Sequence, residues 1–249
     1  HLPHMHLLMT TREDPPLPLP RLRVRNQISE VRIRDLRFTG DEAAEFFSGV
    51  MHLQLSEENV QVLESRTEGW AAGLQLAALS LQGREDVAAF IESFAGDDRF
   101  VLDYLAEEVL HNQPEDIRAF LLQTSILDRL SAPLCNAVTG RDDGGGILQM
   151  LDRRNLFLIS LDDVRNWYRY HHLFSEMLRS KLVQDDPDRV TLLHRRAGEW
   201  FEANDMLSEA IGHALLSEDH HWAAGLIERI WPTMERSLQE PSWLQWTRS

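Results

Sequence analysis

The chain holds 249 residues, 43% of them hydrophobic and 26% charged, a balance that excludes disordered, collagen-like and disulfide-scaffold classes and leaves enough apolar mass for a real core. Forty acidic against 25 basic residues give a net charge of −15, a field that repels phosphate backbones and argues against general nucleic-acid binding. With Cys135 as its single cysteine the chain has no internal disulfide, zinc ribbon or redox Cys-x-x-Cys pair, and a reducing, cytoplasmic setting fits best.

This length predicts two or three modules rather than one. The opening His1-Leu2-Pro3-His4-Met5-His6 has no initiator methionine, basic region or apolar signal core, and reads as a start partway through a domain. Met5 to Thr10 is apolar and uncharged and predicts a short strand running into the polar corner Thr11-Arg12-Glu13-Asp14. The prolines from Pro15 to Pro20 predict an extended linker, and the alternating Glu30-Val31-Arg32-Ile33-Arg34 a second short strand. From there the chain reads as mainly α.

Thr39 and Glu42 form a capping box ahead of Ala43, Ala44, Phe46 and Phe47, and Ser56 followed by Glu57 and Glu58 starts another helix. Trp70, Leu74, Ala78 and Leu81 then fall at helical spacing, joined by Leu76 and Leu79, which predicts a helix apolar on most sides at the centre of a small bundle. The uncharged run from Gly69 to Gly83 is shorter than the roughly 20 apolar residues of a membrane span, so no membrane segment is read here. Val87 to Phe94 is a further helical stretch before the Gly96-Asp97-Asp98 break.

Next come Phe100 to Leu110 and Ile117 to Leu122, with Pro114 suited to a first helical position, then a helix opened by Ser131-Ala132-Pro133 and stopped by Gly140. Gly144-Gly145-Gly146 reads as a flexible loop before a helix from Ile147 to Arg154. Leu156 to Leu161 and Trp167 to His171 predict two strands about a turn at Asp162-Asp163. Helices followed by a hairpin, closed by a helix from Leu173 to Leu182, is the order of a winged-helix domain. Beyond Val190 the pattern is paired helices, Leu192 to Ala203, Leu207 to Leu216 and Trp222 to Trp231, with Ala197, Ala210, Ala214 and Ala223 where helices of a tetratricopeptide-like solenoid approach closely. About one and a half such units are visible where roughly three are needed for stability, so the chain also reads as cut at its C-terminus.

Chemistry is sparse. Lys181 is the one lysine and no GxxxxGK[ST] occurs, so this stretch builds no P-loop phosphate cradle of its own. The histidine pairs His4 with His6, His171 with His172, and His220 with His221 lack a carboxylate or cysteine at metal-ligand spacing and read as surface or core-edge residues. No GxSxG elbow is present, and Cys135 lies within a helix without a neighbouring base. Arg12 stands at a strand end, where open α/β sheets place ligand contacts; the other reading is an exposed arginine shielding that end. His171, in Trp167-Tyr168-Arg169-Tyr170-His171-His172-Leu173-Phe174, is either a core histidine or a partly buried donor to an anion. Between Phe100 and Val183, nine basic and twelve acidic residues leave a net of −3, and Ser131 to Gly140 has no basic residue for a DNA groove, which makes this winged helix a packing and switching module.

Taken in order, Leu7-Leu8-Met9-Thr10-Thr11-Arg12-Glu13-Asp14-Pro15, Leu36-Arg37-Phe38-Thr39, Thr67-Glu68-Gly69-Trp70-Ala71-Ala72-Gly73-Leu74-Gln75-Leu76-Ala77, Phe120-Leu121-Leu122-Gln123-Thr124-Ser125-Ile126-Leu127, Asn155-Leu156-Phe157-Leu158 and Tyr168-Arg169-Tyr170-His171-His172-Leu173-Phe174 resemble the middle of the MalT-like regulators. These are the large ATP-binding members of the LuxR class, in the signal-transducing STAND branch of P-loop ATPases. The resemblance covers nearly the whole chain and implies four parts: residues 1–38 as the end of an α/β P-loop ATPase core, 39–96 as a helical lid, 97–185 as the winged helix, and 186–249 as the start of a helical-repeat superhelix. It further implies a nucleotide-binding role, toward ATP or ADP, for Arg12 as a sensor of the terminal phosphate, for His171 as the winged-helix contact to ADP, and for Gln75, which stands where relatives place a proline in the segment lining the adenine.

By that resemblance the chain is the central portion of an ATP-dependent, inducer-responsive transcriptional regulator that works as a nucleotide-controlled switch. The inducer, a small molecule or protein, would act at the superhelix. The active form would self-associate, and DNA would be met only through a C-terminal domain outside this stretch. With both Walker motifs absent the segment itself is no enzyme, the full-length protein being a slow ATPase switch. The alternative is a nucleotide-independent helical scaffold for protein partners.

Overall fold

A computed structural model describes residues 7–11, 14–84, 86–94 and 98–237. The chain divides into two compact units, one formed by residues 1–94 with 148–159 and the other by 95–147 with 160–249. Among the described residues both are helical, with two short strands.

In the first unit, residues 7–11 run without regular structure where a strand was expected, and the proline segment is not a plain extended linker. Pro18 precedes, and Pro20 enters, the first turn of α1 (Leu19–Val24), since a fixed φ and a missing N–H cost nothing there. The alternating segment at 30–34 is not a strand either; Ile33–Leu36 closes a single 3-10 turn held by Asp35, whose carboxylate accepts the Arg32 N–H at 2.8 Å. Glu30 is claimed by Arg23 and Arg32 instead, and these hydrogen bonds hold its carboxyl down to about 2.

The local start signals act as read. Thr39 caps α2 (Gly40–Glu45): its hydroxyl accepts the Glu42 N–H at 3.4 Å while the Glu42 carboxylate accepts the Thr39 N–H at 2.8 Å. Thr39→Ala should therefore cost about 1 kcal/mol in a urea titration followed by circular dichroism. The helix widens into a π turn over Phe46–Val50. Ser56 caps α3 (Glu57–Thr67), which stops at Glu68 and Gly69, both with positive φ (51° and 68°).

Trp70 then N-caps α4 (Ala71–Leu81) rather than lying inside it. Leu74, Ala77, Ala78 and Leu81 are fully or almost fully buried, with Ala43, Phe47, Val60 and Leu63 of α2, its π turn and α3, and Ile91 and Phe94 of α5 (Val87–Ser93) and its end. The later segment 148–159 supplies Leu151 and Leu158 to the core, and the edge of Phe157 meets Trp70 at 5.0 Å between ring centres.

In the second unit, α6 (Arg99–Tyr104) runs on as a π turn over Leu105–Leu110. Pro114, expected at the first helical position, sits instead at the N-cap of α7 (Glu115–Thr124), one residue before the helix begins. Helix α8 (Ala132–Thr139) ends at Gly140, whose φ of 72° is the left-handed cap a helix terminus favours. Helix α9 (Gly144–Arg153) corrects the reading of the triple glycine as a loop: Gly144 to Gly146 form its first turn, and the Gly144 N–H donates to the Asn136 side chain at 2.8 Å.

Strand β1 (Leu158–Ser160), along which the chain passes back into the second unit at Ser160, pairs with β2 (Tyr168–Tyr170), and the turn after it is held by Asp162, whose carboxylate accepts the N–H groups of Asn166 and Trp167. The backbone of Tyr168 exchanges hydrogen bonds with Leu130, and Arg129 lies over the Trp167 ring. Helices α10 (His172–Asp185), α11 (Pro187–Ala203), α12 (Leu207–Leu216) and α13 (His220–Ser237) follow. Ala197, Ala210, Ala214 and Ala223 are all buried at the seams between them, as their small size foretold. Gly198 leaves room for the Trp222 ring, whose indole N–H donates to Glu202 at 2.8 Å.

Candidate functional site

Arg12 lies outside the described residues. Gln75 stands in the first unit on α4 with its side chain exposed, between buried Leu74 and half-buried Leu76. His171 stands in the second unit and is 4% exposed. Gln75 and His171 therefore belong to different folded units, and the candidate site is followed around His171.

His171 is the joint between β2 and α10: it is the N-cap of the helix, with φ −59° and ψ 140°, and its carbonyl accepts the Ser175 N–H at 2.9 Å. Alternation along the strand buries Tyr168 and Tyr170 while Arg169 is half-buried, and the helix turn buries His171 but exposes His172. The frame around this joint comes from the end of α7. Thr124 and Tyr170 meet hydroxyl to hydroxyl at 2.8 Å in the core, Arg179 Nε of α10 donates to the Ser125 carbonyl at 2.6 Å, and a second Arg179 nitrogen reaches Asp128 at 2.8 Å. An imidazole at the positive end of a 14-residue helix suits an anionic oxygen. In the second unit, the chemistry at His171 is that of a donor to an anionic oxygen such as a phosphate oxygen.

The helix that would enter a DNA groove in a winged-helix reader buries one face and offers no basic residue on the other. α8 packs against both α7 and α11, its Leu134, Cys135 and Val138 are fully buried, and Arg196 of α11 donates to the Val138 carbonyl at 3.0 Å. Burial pushes the Cys135 thiol up to about 12, which keeps it protonated and unreactive at neutral pH.

One pair of residues is invisible in the sequence reading. His194 of α11 and His213 of α12 approach Nδ1 to Nδ1 at 2.8 Å, the Phe201 ring stacks on His213 at 5.3 Å, and burial holds both imidazoles down to about 4. They line a cleft of about 540 Å³ together with Asp128, Arg179 and Glu209. Nineteen residues separate them, so only the register of the α11–α12 hairpin reveals the pair. His220 and His221, considered earlier as a metal pair, open α13 with exposed side chains, and His4 and His6 lie outside the described residues. Among the described residues no three His, Cys, Asp or Glu side chains gather to hold a metal ion, and no helix is long and apolar enough to cross a membrane.

Comparison with known proteins agrees with this architecture. Residues 106–190 match the MalT winged helix domain, the stretch that runs from the π turn after α6 into the first turn of α11. Over 226 residues the chain is 37% identical to the serine/threonine-protein kinase PknK of Mycobacterium tuberculosis, covering 91% of this chain and 20% of the kinase. It is 35% identical over 255 residues to the HTH-type transcriptional regulator MalT of Cronobacter sakazakii, covering 96% of this chain and 28% of that regulator. To MalT of Klebsiella pneumoniae it is 36% identical over 218 residues, covering 87% of this chain and 24% of the relative. The chain thus spans between a fifth and three tenths of the length of these curated relatives. With a match to the MalT winged helix domain at its centre and similarity on both sides of it, the chain is similar to MalT regulators over nearly its whole length.

Proposed function

We propose that this chain is the switching centre of a longer, ATP-dependent and inducer-responsive transcriptional regulator, in which the winged helix responds to bound nucleotide instead of reading DNA. The observation that carries this reading is α8 without a basic residue, packed on α7 and α11 through Leu134, Cys135 and Val138: a winged helix whose groove-entering element has no cation for phosphate or guanine has another task. His171, at the head of α10, would hold the phosphate of ADP in the resting form, with Arg12 sensing the terminal phosphate of ATP and Gln75 near the base. ATP and ADP supply the difference in charge that the switch reads, since a lost phosphate removes partners of an imidazole and a guanidinium. Inducer acting on the helical repeats would favour an open, self-associating form. Inverting a resting ratio of 1:99 takes about 5.5 kcal/mol of differential binding, which phosphate contacts and repeat contacts together can supply.

The test is calorimetry of ADP binding to the full-length protein. His171→Ala should weaken ADP about 10- to 100-fold, the equivalent of one charge-assisted hydrogen bond, while the exposed neighbour His172→Ala should leave it unchanged. Equal affinity in wild type and His171→Ala would remove the nucleotide role of the winged helix.

The similarity to PknK favours a second reading of the output. A kinase and DNA-binding regulators share this stretch, so the module serves what they have in common, and a kinase domain in the full-length protein would make phosphotransfer the controlled activity. A Walker A motif and a helix-turn-helix encoded on either side of the chain would support the regulator.

A further inference from the structure

We infer that the buried Thr124–Tyr170 pair is the positioning device of His171, tying β2 to the last turn of α7 so that the imidazole is presented at one fixed place. The inference rests on the reading of His171 as a phosphate contact.

The geometry is a two-sided grip on one joint. Thr124 is fully buried and Tyr170 is 4% exposed. Thr124 has a single hydroxyl hydrogen, and the Phe120 carbonyl at 2.7 Å, one turn back in α7, takes it. The phenol of Tyr170 is then the donor in the 2.8 Å contact between the two hydroxyls. Burial pushes the ionisation of this phenol up, so it stays a neutral O–H donor at any working pH.

This bond reaches across 46 residues of sequence to the position directly before His171. On the other side of the joint, the edge of the Tyr170 ring lies against Phe174 of α10 at 5.8 Å and 84°. Ser125, next to Thr124, receives Arg179 from two turns further along α10. Two residues before Tyr170, the backbone of Tyr168 is paired in both directions with Leu130, at 2.7 and 2.9 Å. The end of α7 and the segment just after it therefore hold the strand that leads into His171 and the helix that leads out of it. A hydrogen bond from an imidazole to an anionic oxygen tolerates a few tenths of an ångström, and a displacement of about 1 Å is enough to lose it. β2 is paired along its backbone with β1 and with Leu130, and the Tyr170 hydroxyl adds the side-chain tie to α7 that fixes the end of the strand next to His171.

The full-length protein, loaded with a fluorescent ADP analogue and chased with unlabelled ADP, reads the effect as a release rate. Thr124→Val keeps the shape, removes the acceptor, and should speed release about tenfold, which corresponds to about 1.4 kcal/mol. Thr124→Ser restores the acceptor and should return release to near the wild-type rate. In a His171→Ala background the valine should add no further acceleration. In the nucleotide-free protein, hydrogen exchange at the first-turn amides of α10 should quicken in Thr124→Val and recover in Thr124→Ser. If valine at 124 does not fold, Tyr170→Phe deletes only the donated hydrogen and should act in the same direction.

Unchanged release in Thr124→Val beside faster release in His171→Ala overturns the positioning role alone. Acceleration by the valine that persists undiminished without His171 also overturns it, because the effect is then general loosening. Unchanged release in both single variants overturns the phosphate reading of His171 and the positioning role with it.

Discussion

Replacing Gly69 by alanine is expected to destabilise the first unit by about 3 to 5 kcal/mol, a large share of what holds a small unit folded. Two effects combine. The residue sits at φ 68°, where a side chain costs roughly 1–2 kcal/mol, and a Cβ there would collide with the Phe38 carbonyl oxygen and stand 3.1 Å from the Phe38 nitrogen. Those are backbone atoms, and Phe38 N–H donates to the Gly69 carbonyl at 2.8 Å, so neither strand of chain can retreat without breaking the contact that joins α2 to the α3–α4 corner. Gly83→Ala is the control, since its φ of 76° carries the same conformational penalty with nothing within 4 Å of an added Cβ. Urea titrations of both variants, followed by the fluorescence of the chain's tryptophans and by circular dichroism, separate the two contributions. A loss at Gly69 no larger than that at Gly83 would refute the close-approach argument.

The second large effect is in pH. His194 and His213 are held neutral, at about 4 against 6.5 for a free imidazole, chiefly by burial, with each other, Asp128 and Arg179 as the charged and titratable neighbours. Glu209 of α12 lines the same cleft and is ion-paired with Arg129. Between those pH values the unfolded chain binds more protons than the folded one, so stability rises with pH. It is complete above about 6.5 and is lost as pH falls toward 4. The Nδ1–Nδ1 contact adds a stoichiometric reason: one proton bridges two rings, and a second cannot be accommodated between them. Denaturant midpoints at pH 7.5 and pH 5 should therefore differ by the equivalent of about 2 to 4 kcal/mol in the second unit. The double variant His194→Gln with His213→Gln should flatten that slope. An unaltered slope in the double variant would assign the acid sensitivity to other groups.

What the sequence disclosed and what it hid separate along a physical line. Capping boxes, αL glycines and helical periodicity are local devices, so Thr39, Ser56 and Gly140 were placed correctly from a few neighbouring residues. The burial of Ala197, Ala210 and Ala214 followed from spacing alone. Residues 7–10, read as strand from an apolar run, and 30–34, read as strand from alternation, take no strand because either pattern describes only half of one; the other half is a partner, and among the described residues neither segment has one. The triple glycine was taken for a loop because its helix-start partner, Asn136, lies eight residues upstream across a turn. The same limit hid the site's supports: Thr124 and Tyr170, or His194 and His213, are ordinary residues until a tertiary contact pairs them. His171 was legible through its aromatic context and its family resemblance, while its burial became known only from the fold.

The first unit closes only with residues 148–159, which are separated from its helices by more than fifty residues belonging to the second. On the ribosome, α2 through α5 emerge first, and Trp70 at the head of α4 lacks the Phe157 ring it meets until that segment has been synthesised. Nascent chains arrested before that point would be chaperone clients, and a protein shortened at residue 95 would be an unfinished object rather than an independent domain.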